Sequence, residues 1–178
     1  LREDSLMAMG KDFYDEGGAQ LEAYQKLENE LKRLKAQREE LLVILKSRKP
    51  GTAQAKIRKI DLRLAQITPD MDRLKGLYQA NFSEAAKAFK LIAANPQYAN
   101  TLTAYDALFY GALATYFGGH VQEAALAFKE VQNSKISARH AKEAAKWRLG
   151  LMGELVKAIK LPPDPDPAKD KTITRLEI

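Results

Sequence analysis

The chain of 178 residues contains no cysteine, which excludes disulfides, zinc–cysteine sites and thiol chemistry. It has only two histidines, His120 and His140. Neither has the i, i+4 histidine partner of a helical zinc site, and both are expected to be solvent-exposed. A Walker loop, a dinucleotide fingerprint and a nucleophile elbow are all missing. The carboxylates are scattered along charged faces, not paired in an apolar setting that would shift their pKa. No catalytic residue, metal or cofactor is therefore expected. Long hydrophobic runs are also missing. The longest, Ala107 to Phe117, falls well short of the roughly 20 residues that span a bilayer. Acids and aromatics are both absent between Lys46 and Lys59.

What is present is helical in character. Leu, Ala, Glu, Lys, Arg and Gln dominate, the better helix formers. The hydrophobic share of 46% beside 29% charged residues suits a helical protein with one real core. The net charge is +6, and six cations crowd one short segment: Lys46, Arg48, Lys49, Lys56, Arg58 and Lys59. The first residue is Leu1, expected of a processed, trimmed or fragment chain. With the absence of cysteine, this leans towards a bacterial periplasm or cell envelope.

Read along the chain, residues 5–16 predict a helix that Gly17-Gly18 ends, with a second starting at Ala19. The small residues Gly10, Gly17 and Ala23 mark where antiparallel helices touch closely. Tyr24, Leu27, Leu31, Leu34, Leu41 and Leu45 follow a three-four spacing, interrupted only at Arg38. Lys49-Pro50-Gly51 breaks that helix. Ile57, Ile60, Leu64, Ile67, Met71, Leu74 and Tyr78 continue the heptad. Two such helices joined by a short turn predict an antiparallel coiled-coil hairpin, an arm over about residues 24–78. Thr68-Pro69 reads as a cap and restart where the arm rejoins the body. Further helices are expected over 83–94, 101–117, 122–132 and 138–160. The helical domain is thus 1–160. Residues 161–178 form a Pro/Asp-rich linker and an extended tail, open to two readings: a strand donated to a sheet edge, or a frayed end.

One segment is echoed. Glu84-Ala85-Ala86, Ala88, Phe89 and Lys90 recur as Glu123-Ala124-Ala125, Ala127, Phe128 and Lys129, 39 residues on. Self-similarity at such a period marks stacked repeats. With Ala112 and Gly119 before the second echo and Phe82 and Pro96 around the first, the pattern resembles the tetratricopeptide repeat family. Gly10, Phe13, Gly17, Ala23 and Leu27 suggest a first unit, and Trp147, Leu149 and Gly150 the opening of a last one. The period exceeds the family's usual repeat of about 34 residues. The helix ahead of Phe82 also lacks the family's small residue, carrying Arg73 and Gly76 instead. The pattern is further similar to bacterial cell-envelope members that join a coiled coil to a repeat domain. The fold class expected is all-α: irregular helical-hairpin repeats in a solenoid, a coiled-coil arm and an extended tail.

The resemblance implies that the first helix of each unit lines a groove. Asp106, Phe109, Leu113, Tyr116, Trp147 and Leu151 are then the candidate partner-binding residues. Core packing between units is the competing reading for each. The basic tip has three readings: a solvated loop, a dock for an acidic protein surface, or a contact to nucleic acid or anionic lipid. Without an aromatic platform, any nucleic-acid contact there is to phosphate. The function expected is a non-enzymatic scaffold or adaptor. Its groove takes a peptide or helix from other protein subunits, its arm takes a second partner, and self-association through the heptads stays open. Peripheral membrane association stays open too. The alternative is a nucleic-acid-associated protein that uses the basic tip.

Overall fold

The structure, a computed structural model, describes residues 2–46 and 51–158. The regular structure of the described residues is helical throughout: α1 (Glu3–Leu45), α2 (Ala53–Ala93), α3 (Leu102–Phe117), α4 (Val121–Asn133) and α5 (Ala141–Ala158). Each helix packs chiefly on its neighbours in sequence. None is long and apolar enough to cross a membrane. The linker and tail readings for 161–178, and the charges at Arg48 and Lys49, lie outside the described residues.

α1 and α2 run antiparallel for most of their lengths. Gly10 meets Phe89 and Gly17 meets Phe82 at the body end. Tyr24 meets Tyr78 further out. Glu30 then accepts two hydrogen bonds from Arg63 at 2.7 and 3.0 Å, and Asp61 one from Arg38 at 2.7 Å. The bond to Arg63 holds the Glu30 carboxyl below its ordinary range. Along the same stretch of the two helices, Leu34, Ile60 and Ile67 are buried among Leu27, Leu31, Leu41, Leu64 and Met71. Gly51, at the turn, has φ of +48°, which a glycine adopts without strain.

Three boundaries differ from those expected. Gly17-Gly18 does not end a helix, because α1 continues through both. A Cβ on Gly17 would sit 3.2 Å from the Phe82 ring, tighter than ordinary van der Waals contact, so glycine lets the two helices approach without displacing the ring. Burial of Phe82 outweighs the roughly 1 kcal/mol that glycine costs a helix. Thr68-Pro69 is not a cap and restart either. α2 runs unbroken through Pro69, and the Thr68 hydroxyl donates back to the Leu64 carbonyl at 3.3 Å. Pro69 is exposed. Ala65, whose carbonyl loses its i+4 N–H partner to the proline, is also exposed, while Ile67 and Met71 pack inward on either side. The first echoed helix is accordingly the end of α2, not a separate helix.

Two larger cores fill the body. Leu6, Phe82, Ala85, Phe89 and Ile92 pack with Ala104, Ala107 and Ala114 between α1, α2 and α3. Tyr105, Phe109, Leu113, Phe128, Val131 and Leu151 pack between α3, α4 and α5. Tyr14 and Phe117 touch both. The Thr101 hydroxyl caps α3, accepting from the Ala104 N–H at 3.0 Å and donating to Glu3 at 3.0 Å.

Candidate interaction grooves

Two grooves lie on the body. The first, about 570 Å³, follows one face of α5: Arg139, Lys142, Glu143, Lys146, Trp147, Gly150, Leu151 and Glu154. Helical spacing places these residues on a single stripe. Trp147 lies parallel to Phe128 at 5.9 Å, which fixes the indole while leaving it half-buried. The Tyr116 ring leans on it at 5.3 Å, and its hydroxyl donates to Glu154 at 3.4 Å. Burial and the Glu154 charge raise the Tyr116 pKa. Arg139 is held by Asp106. Lys142 and Lys146 are exposed and have no ion-pair partner among the described residues.

The second groove, about 660 Å³, crosses α3 between α2 and α4. Ala86, Ala93, Ala107, Gly111, Ala112 and Ala127 line it with Leu108 and Leu126, and Lys87, Lys90, Glu123 and Glu130 ring it. It pairs the two echoed helices across a bed of small residues.

The expected groove residues divide. Trp147 and Leu151 line the first groove, Tyr116 leans on its rim and Asp106 holds Arg139 at one end. Phe109 and Leu113 do not face a groove. They are core, at 3% and 8% exposed, and Leu151 at 1% contributes only floor. The reason is the count of layers: α4 and α5 close over α3, so an apolar helix surface is consumed by packing. Of the basic residues, Lys46, Lys56, Arg58 and Lys59 are exposed around the end of the arm.

His140 also departs from expectation. Its ring stacks on Phe109 at 4.2 Å, its Nε2 lies 2.9 Å from Asp106 Oδ1, and its backbone N–H donates to the Tyr105 hydroxyl at 3.0 Å. This joins α3 to the start of α5. An aspartate beside a histidine is also how catalytic bases are oriented. Here the hydrogen bonds of both residues serve the helix junction. His120 is exposed as expected. Sequence reasoning missed the Asp106–His140 pair because its members are 34 residues apart and carry no local pattern.

Tyr14 stands between the two cores, with Phe82, Phe89 and Tyr110 around it. Burial first, then the negative charge that Tyr110, Asp15 and Glu143 add, pushes its pKa up to about 12. The folded state thus holds the Tyr14 proton more tightly than the unfolded chain, with its ordinary value of 10.0. The stabilisation is complete below pH 10 and is lost as pH rises towards about 12. Alkaline unfolding followed by helicity is expected to begin above pH 10, and Tyr14→Phe to move its onset upward. An unchanged onset would show that other groups govern it.

The fold defines an all-helical protein of five helices among the described residues. No family model, curated protein or solved structure matches the chain.

Proposed function

We propose that this chain is a non-enzymatic interaction module, an irregular tetratricopeptide-like helical repeat whose first groove holds a peptide or helix from a partner protein. In this reading α1/α2 and α3/α4 are two helical-hairpin units, α5 opens a third, and the outer halves of α1 and α2 form a coiled-coil arm. One observation carries it: a half-buried Trp147, fixed by Phe128, lies in a groove beside Lys142 and Lys146, which have no ion-pair partner among the described residues although Glu143 and Glu154 share the lining. An aromatic anchor flanked by cations suits a segment with an apolar side chain and nearby carboxylates. Such binding orders a segment without chemistry, which fits a scaffold or adaptor in a larger assembly.

The test is affinity capture from the source cell, comparing wild type with Lys142→Glu/Lys146→Glu. A matched pair in the second groove, Lys87→Glu/Lys90→Glu, is the control. Loss of the same partner by at least about tenfold in the first variant alone is expected, since charge reversal at an interface costs more than one kcal/mol per pair. Equal capture by all three proteins would overturn the reading. Because Trp147 is the only tryptophan, its emission reports whether an isolated partner peptide enters the groove.

A further inference from the structure

We propose that the free end of the α1/α2 arm docks on an anionic lipid surface. The proposal goes beyond the groove and does not depend on it. Along the shaft of the arm four cations are paired, Lys26 with Glu22, Lys32 with Glu28, Arg63 with Glu30 and Arg38 with Asp61, while Arg33 and Lys35 are exposed with no ion-pair partner among the described residues. Beyond the Arg38–Asp61 pair no cation is paired, and Glu39 and Glu40, at the base of this end, are its only acids among the described residues. Lys46, Lys56, Arg58 and Lys59 are exposed and have no ion-pair partner among the described residues.

Two aliphatic side chains accompany them. Val43 is 72% exposed and Ile44 46%. Arg38 opposes Asp61 across the pair, so five residues further out Val43 is level with Lys56. Inward-facing positions at the same level, Ala53 and Ile57, are buried. Val43 and Ile44 are therefore surplus to the helix contact. Exposed β-branched residues beside uncompensated cations fit the boundary of an anionic bilayer, where the aliphatics enter and the lysines meet headgroup phosphates.

Nucleic acid fits less well. No aromatic residue lies between Lys46 and Lys59, and Val43 and Ile44 have no role against a phosphate backbone. Geometry separates the tip from the body. From Gly17 to Lys46, α1 extends roughly 40 Å at about 1.5 Å per residue, several Debye lengths at physiological salt. Groove charges thus take no part at the tip, and a docked arm holds the groove away from the surface.

Each lysine or arginine near an anionic surface contributes about fivefold in partitioning. The experiment is co-sedimentation of the full chain with vesicles of phosphatidylcholine alone, or with one-third phosphatidylglycerol, at low and physiological salt. Binding to the anionic vesicles only is expected. Lys56→Gln/Arg58→Gln/Lys59→Gln should weaken it roughly 100-fold. Val43→Ser/Ile44→Ser should weaken it at physiological salt with helicity unchanged, since both sites are exposed. Lys142→Glu/Lys146→Glu should leave it intact, even if those changes abolish partner capture. Equal binding to neutral vesicles, no binding to anionic vesicles, or indifference to the serine pair would each overturn the proposal. So would duplex DNA binding as tight as vesicle binding at the same salt, which would return the tip to the nucleic-acid reading.

Discussion

Phe82→Ala is expected to lower the unfolding free energy by about 3–5 kcal/mol, the range for truncating a fully buried phenylalanine. Phe82 is 1% exposed. Its ring lies 5.2 Å from Tyr14, 5.0 Å from Phe117 and 6.4 Å from Tyr78. Gly17, one turn after Tyr14 on α1, also packs against the ring. These neighbours come from α1, α2 and α3, so the ring is where three helices meet. Backbone atoms of three helices cannot all move inward, and the vacated space stays open. The cost thus includes a cavity as well as lost transfer energy. Urea unfolding followed by far-UV circular dichroism measures it. A loss below about 1 kcal/mol would mean the helices collapse onto the gap.

Two glycines of α1 should respond oppositely. A Cβ on Gly10 would stand 2.8 Å from Phe89 Cε1 and 3.1 Å from Cζ. The ring has no room to yield: Phe89 is buried, a Cβ on Gly111 would meet its own Cβ at 3.3 Å, and Tyr14 and Tyr110 flank it. Gly10→Val is therefore expected to destabilise by about 1–3 kcal/mol through overpacking. Gly18 has nothing within 4 Å of a built Cβ. Gly18→Ala is expected to stabilise by about 0.5–1 kcal/mol, because alanine loses less backbone entropy in a helix. Thermal and urea midpoints of both variants check the pair. A Gly18→Ala variant less stable than wild type would mean that α1 is broken there after all.

The glycines also show how much of the fold was legible. Gly10 and Gly17 are readable as close-contact residues, but not what they touch. Their partners, Phe89 and Phe82, lie 79 and 65 residues away. The helix that touches Phe82 is α1, through Gly17, and beyond that contact α1 and α2 both continue outward without a break. Of the candidate site, Tyr116 and Trp147 were legible as large aromatics at helical spacing. Phe109 and Leu113 carry the same signal, yet α4 and α5 bury them.

Helical content, the spans of α3 and α4, and the apolar stripe facing inward along the arm follow from the sequence alone. Each rests on residue propensity and on spacings of three and four, which act within one helix. Tertiary structure decided the rest: that α1 passes Gly17-Gly18, that α2 passes Pro69, that His140 is stacked and not exposed, and that the groove runs along α5. The local signals involved are worth about 1 kcal/mol for a glycine and about 3 for a proline. Burial of Phe82, Phe89, Ile60 and Ile67 outweighs them, and that burial exists only once distant helices meet.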